Sequence, residues 1–239
     1  GGDPIASNRQ VPNAIRQWGK VLDQATVVAV DPRLSATASK AHEWMPVKPG
    51  EDSALAIALA HVILTEGLWS REFVGDFKDG VNAFKAGATV DEAAFDEKLT
   101  HGVVKWWNVE LKDRTPEWAE KVCLIPAEQI RRVAIGFGKA APNVMCWMAP
   151  GAAMQPRGAY GALAAHALNG LVGAVDNEGG TLQKMSAKYT HIPLYDEKFG
   201  QYVDDIAKKG LSHKKIDQRG TLEFPALNKK PGGGVVTNR

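Results

Sequence analysis

Cysteine is nearly missing from this chain: of 239 residues only Cys123 and Cys146 are cysteines, and no CxxC pair or Cys/His cluster accompanies them. That argues against a structural zinc or iron–sulfur site built from this chain alone. Both thiols sit in apolar stretches and read as small core hydrophobes. Long hydrophobic runs are lacking too, and no segment approaches the roughly 18 to 20 apolar residues of a membrane-spanning helix. Charge of one sign is also absent. A formal net charge of +2 and a pI near 8.5 give no field that would gather nucleic acid or an anionic bilayer. The chain opens on Gly1-Gly2-Asp3-Pro4 without a methionine or a charged-then-apolar leader. The expectation is a processed chain or a piece of a longer protein, with the compartment not legible.

What is present is the 44% hydrophobic, 23% charged balance of a globular chain able to bury a core. Its focus is residues 25–54. An apolar run over 25–30 ends in Asp31-Pro32-Arg33, and a second strand-like piece over 44–48 ends in Pro49-Gly50-Glu51-Asp52, ahead of an apolar stretch over 53–66. In an open parallel sheet, ligands bind beyond the carboxyl ends of the strands, where a carboxylate accepts from ribose hydroxyls or a base edge. Asp31 is the ribose candidate and Asp52 the base candidate. The plainer alternative makes Asp31-Pro32 a turn and Asp52 a helix N-cap.

In chain order, the glycine-led loop 1–8 feeds a helix over 9–22, an arrangement that suits an anion because free N–H groups and the positive helix end point at it. His42 reads as a loop residue. The helix 53–66, apolar nearly all round, is expected to be buried against a sheet and to stop at Gly67, with His61 a hydrogen-bonded core histidine rather than a metal ligand. A second short helix is expected over 68–77, then an excursion over 78–114 packed down by Trp106-Trp107, with a substrate-funnel wall as the alternative. Thr115-Pro116 and Pro126 begin two more helices, the second running to about Lys139. Residues 143–148 read as a further strand, and the loop 149–158 leads into a helix over 159–172 that Gly173 stops. In that loop Gln155 and Arg157 either grip a cofactor or serve as helix cap and salt-bridge partner. The fold expected is α/β: a Rossmann-like parallel sheet with helices on both faces over 1–182, plus an irregular extension, linker or incomplete domain over 183–239.

The ordered set GGDP, VDPR, KPGEDSALA, and GAAMQPRG ahead of HALNGLVGAVDNEGG resembles the molybdopterin oxidoreductase superfamily of the dimethyl sulfoxide reductase type. The likeness covers residues 1–182 and is to one of that family's central nucleotide-binding domains. The details SNRQ, WWN, MQPRGAY and IDQRGTLEFPAL are most similar to respiratory arsenate reductase catalytic subunits, with thiosulfate, polysulfide and tetrathionate reductase large subunits as neighbours. The resemblance implies a molybdenum bis(molybdopterin guanine dinucleotide) cofactor. Its contacts would fall on Gly2, Asp3 and Asn8 in the first loop, Asp31 and Arg33 after the next strand, Gly50 and Asp52 before the apolar helix, and Gly151, Met154 and Gln155 across the crevice. It further implies an oxyanion substrate, a 4Fe-4S cluster and an iron–sulfur electron-transfer subunit, and a periplasmic location. The family's four-cysteine motif and molybdenum ligand have no counterpart in this chain, so no catalytic residue and no metal ligand is expected here, and the chain alone should not turn over. Two other readings are an NAD(P)-dependent dehydrogenase domain, which the missing G-x-G-x-x-G opposes, and a non-catalytic scaffold.

Overall fold

The computed structural model describes residues 3–6, 11–156 and 158–182. Over them the expectation of a large parallel sheet is overturned. Helix accounts for 47% and strand for 8%, and the strands form two sheets of two strands each.

The first sheet pairs β1 (Val28–Val30) with β2 (Glu43–Met45) in parallel, Ala29 opposite Trp44. The expected third strand over 143–148 does not pair. Its burial alternates as a strand's would, with Val144, Cys146 and Met148 half-buried and Met145 and Trp147 exposed. Yet Cys146 bonds the side chain of Asn169, on a helix, through both its N–H and its C=O. A short apolar run reports enclosure and not the identity of the neighbour, which is why the sequence pattern misled.

The same reason corrects the apolar helix. α1 (Val11–Gln24) precedes the sheet, and α2 (Asp52–Thr65) follows it with buried residues on every side, from Ala54 to Leu64. What encloses α2 is mostly other helices: α4 (Pro116–Cys123), α5 (Ala127–Lys139) and α7 (Gly158–Leu171). Close approach of α7 depends on a small residue, since a Cβ at Gly161 would come within 3.3 Å of the Ser53 Cβ. One core lies between α2, β2, α4 and α5, around Met45, Leu55, Ile125 and Ile130. The other joins α2 and α7 to the excursion.

Residues 68–77 are not a helix. They turn, then enter β3 (Gly75–Phe77), which pairs antiparallel with β4 (Phe95–Glu97). Gly75 sits at φ +115°, where an added Cβ would lie 2.0 Å from the Asp96 carbonyl oxygen, so the backbones meet where no side chain fits. Around this hairpin Trp69, Phe77, Phe84, Phe95 and Trp107 pack edge to face and tilted, with centroids 5.0 to 6.4 Å apart. Trp107, on α3 (Val103–Val109), is fully buried, and its neighbour Trp106 reaches the Tyr160 hydroxyl on α7. The tryptophan pair therefore fastens the excursion to the body. His61 is a core histidine: its Nδ1 lies 2.7 Å from the Leu111 carbonyl oxygen and its ring stacks on Trp107.

The punctuation holds elsewhere. Thr115 caps α4 by accepting from the Trp118 N–H, Pro116 occupies the first turn, and Gly67 and Gly173 take left-handed conformations after α2 and α7. The remaining helix, α6 (Pro150–Ala153), is a single turn in the loop before α7.

Candidate functional site

The site is built where β1 and β2 run out. Asp31 is the residue after β1, and its backbone stays in register with β2, its N–H donating to the Met45 carbonyl (3.2 Å) and its C=O accepting from Trp44 Nε1 (2.7 Å). Its side chain is buried, and Oδ1 accepts from the Arg33 N–H at 3.0 Å. This is the turn that the plainer reading anticipated. It uses one carboxylate oxygen, and Oδ2 takes no donor among the described residues. Arg33 is exposed beside it.

Asp3 braces this loop. Its Oδ1 accepts from the Thr37 hydroxyl (2.5 Å), the Thr37 N–H (3.2 Å) and the Ala6 N–H (3.3 Å). Burial pushes the Asp3 pKa up, but the Thr37 and backbone donors outweigh it and hold the carboxyl below its ordinary value. Thr37 was not legible as a site residue, for nothing in the spacing links position 37 to position 3. Gly2 and Asn8, the other first-loop candidates, lie outside the described residues, as does Arg157.

The second strand leads to the second carboxylate. After β2 the chain is pinned by Lys48 N–H to the Cys123 carbonyl (2.9 Å) and Glu51 N–H to the Lys48 carbonyl (3.0 Å), and it turns at Gly50, φ +92°. Asp52 is then the first residue of α2, where the positive helix end favours a carboxylate. From the loop before α7, Gln155 Nε2 donates to Asp52 Oδ2 (3.1 Å) and to the Ala152 carbonyl (2.8 Å). Gln155 Oε1 lies 3.4 Å from where a Gly50 Cβ would be. Gly50, Asp52 and Gln155 are thus brought together from the two sides. Gly151 and Met154 are both exposed, on and just after α6. Asp3 and Asp31 form a second group at the adjacent strand end, joined to each other through the loop 31–37.

Behind the site, α5 clamps β2. Arg132 makes a two-pronged contact with the Glu43 carboxylate (2.5 and 2.9 Å), and Gln129 Nε2 donates to Glu43 (2.8 Å) and to the Trp44 carbonyl (3.0 Å). Burial raises the Glu43 pKa, and the Arg132 and Gln129 bonds bring it below its usual value. These long-range partners also carried no local signal.

Asp31 and the Asp52–Gln155 pair each present oxygen acceptors beyond a strand end, with the exposed Arg33 cation beside Asp31. Acceptors of this kind suit a ligand that offers hydroxyl and N–H donors. Among the described residues no group of three or more His, Cys, Asp or Glu could hold an ion. Nor is either thiol primed, since burial raises the Cys123 pKa and pushes that of Cys146 up to about 11. No helix among the described residues is long and apolar enough to cross a membrane.

The sequence profile described as molybdopterin oxidoreductase matches residues 4–236. The chain is 60% identical over 237 residues to the arsenate respiratory reductase molybdopterin-containing subunit of Chrysiogenes arsenatis, covering 99% of this chain and 27% of that protein. It is 54% identical to the corresponding subunit of Shewanella sp. (strain ANA-3), covering 99% and 28%. With the thiosulfate reductase molybdopterin-containing subunit of Salmonella typhimurium the identity is 31%, over 89% of this chain and 25% of that protein. The chain therefore spans little more than a quarter of the length of these relatives. Among solved structures, acetylene hydratase from Pelobacter acetylenicus shares the fold with a TM-score of 0.51 and 20% identity, over 69% of this chain and 18% of that one.

Proposed function

Because the chain belongs to the molybdopterin oxidoreductase family, we propose that it is the part of a molybdenum bis(molybdopterin guanine dinucleotide) enzyme that grips a guanine dinucleotide tail, and that the whole protein reduces arsenate to arsenite. The observation that carries the reading is the 60% identity, sustained across 99% of the chain, to an arsenate respiratory reductase subunit. The 31% identity to the thiosulfate reductase subunit makes sulfur oxyanions the competing substrates.

In this reading Asp52 accepts from the guanine N1–H and amino group together, a pairing one carboxylate makes well. Asp31 offers Oδ2 to the ribose hydroxyls while Oδ1 holds the turn, and Arg33 and the first-loop amides meet the diphosphate. Asp3 keeps that loop in place from behind through Thr37. Gly50, Gly151 and Met154 form the crevice wall. The cofactor, when bound, supplies the metal centre for exchange of two electrons and an oxygen atom with the oxyanion. Its electrons would arrive through a 4Fe-4S cluster and an iron–sulfur partner subunit, and the assembly would be exported to the periplasm.

The test is to purify the full-length protein, measure its molybdenum by mass spectrometry and identify the nucleotide released by acid. Guanosine monophosphate in a pair per molybdenum is expected, and a protein with neither metal nor guanine ends the proposal. Viologen-coupled assays with arsenate, thiosulfate, polysulfide and tetrathionate then separate the substrates. Arsenate is expected to be reduced fastest.

A further inference from the structure

α1 is more sharply two-faced than α2, α4, α5 or α7. Ala14, Ile15, Trp18, Val21 and Leu22 recur three and four residues apart and fall in one stripe, while Asn13, Arg16, Lys20 and Asp23 face the other way. On that polar side the Arg16 guanidinium donates to the Asn13 side chain (3.1 Å). The stripe joins neither core: Ala14, Trp18 and Leu22 are half-buried, and Ile15 and Val21 remain 51% and 39% exposed. A helix of this length draws its stability from packing of its apolar face, so a stripe left open is an unfinished contact. A second, independent observation lies at its centre. The Trp18 indole N–H is shut off from solvent and donates to no acceptor, alone in this among the buried side-chain groups of the described residues. Such a donor is costly, and native folds leave very few of them.

We propose that the stripe of α1 is an interface inside the full-length protein, covered by an apolar part of the same polypeptide outside these 239 residues that sets one oxygen acceptor, a main-chain carbonyl or a side-chain oxygen, against Trp18 Nε1. The relatives supply the length. This chain spans little more than a quarter of them, so most of the surface available to cover α1 arrives on the same polypeptide, at a high effective concentration. A second copy of the stripe does not suit it. The side chains of alanine, isoleucine, tryptophan, valine and leucine carry no oxygen, and the carbonyls of a helix are engaged within it, so two copies meeting face to face would leave both indoles without an acceptor. Nor does an anionic bilayer suit it, because Arg16 and Lys20, offset in part by Asp23, give the polar face little pull on one. The inference is independent of the cofactor and of the substrate.

Full-length protein carrying Ile15→Cys, Val21→Cys or, as the control on the opposite face, Lys20→Cys is treated with a maleimide under native conditions. Modification at each position is followed by peptide mass spectrometry and divided by its rate in urea, and helical circular dichroism matching the parent qualifies each variant. Positions 15 and 21 should react roughly tenfold more slowly than position 20, or slower still, since reaction there requires the interface to open. Trp18→Phe keeps a ring in the stripe and removes the donor. In that background the rate at position 15 should rise about fivefold, the worth of one hydrogen bond. Equal rates on the two faces overturn the proposal, and so does an unchanged rate at position 15 in Trp18→Phe. Protection that fades on dilution, or that appears only when anionic vesicles are added, hands the stripe to a second copy or to a membrane and overturns it likewise.

Discussion

The side-chain amide of Asn169 pairs with the main chain of Cys146 as a neighbouring strand would, accepting from its N–H at 2.7 Å and donating to its C=O at 2.9 Å. One buried helical residue thereby satisfies two backbone groups that would otherwise be left in apolar surroundings.

Asn169→Leu, which keeps the volume and removes both partners, should therefore destabilise the protein by roughly 2 to 4 kcal/mol, since each stranded buried group costs about 1 to 3 kcal/mol. Urea unfolding measures it. A change under about 0.5 kcal/mol would mean that the Cys146 amide and carbonyl find other partners.

Acid should release a second tie. The Arg131 guanidinium hydrogen-bonded to Glu117 at 2.6 Å is the main reason that this carboxyl is held at about 2, below its ordinary 4.5. A lowered carboxyl stabilises the folded state fully above pH 4.5 and ceases to do so as the pH falls through about 2. Glu117→Gln should thus be less stable near neutrality by no more than about 1 kcal/mol, because the pair is largely solvent-exposed and screened. The two proteins should converge in stability at about pH 2. A gap that stays constant across that range contradicts the assignment.

At the proposed ribose contact, Asp31→Asn retains an oxygen for the Arg33 N–H and removes one carboxylate oxygen as an acceptor. The full-length protein free of cofactor should then bind GDP about tenfold more weakly, while 2′,3′-dideoxy-GDP binds as before. Equal losses for both nucleotides would show that Asp31 serves the turn alone.

Gly75→Ala should cost more than about 2 kcal/mol, because the backbone sits at φ +115° and the new methyl group would lie 2.0 Å from the Asp96 carbonyl oxygen. Thermal unfolding reads the loss. The near-ultraviolet signal of Trp69, which packs on this hairpin, should change with it, and a variant as stable as its parent would mean that β3 and β4 can separate at little cost.

Local chemistry was legible and partnership was not. Thr115-Pro116, Gly67 and Gly173 marked helix ends because capping and left-handed turns are decided within a few residues. Asp31 and Asp52 stood out for a similar reason, each being an acid set where an apolar run stops. The sheet was over-read. Residues 53–66 and 143–148 are as apolar as sheet-covered elements would be, but helices enclose the first and Asn169 pairs with the second. The bond from Gln155 to Asp52, and the bracing of Asp3 by Thr37, each join positions far apart in sequence, with no pattern in between to announce them.

The Asp3 brace has one more effect. Three separate bonds converge on a single oxygen atom, so one proton captured there weakens all of them together. Residues 3–6 and the segment around position 37 would then loosen as a pair in strong acid, and the Ala6 and Thr37 amides would begin to exchange with solvent in concert.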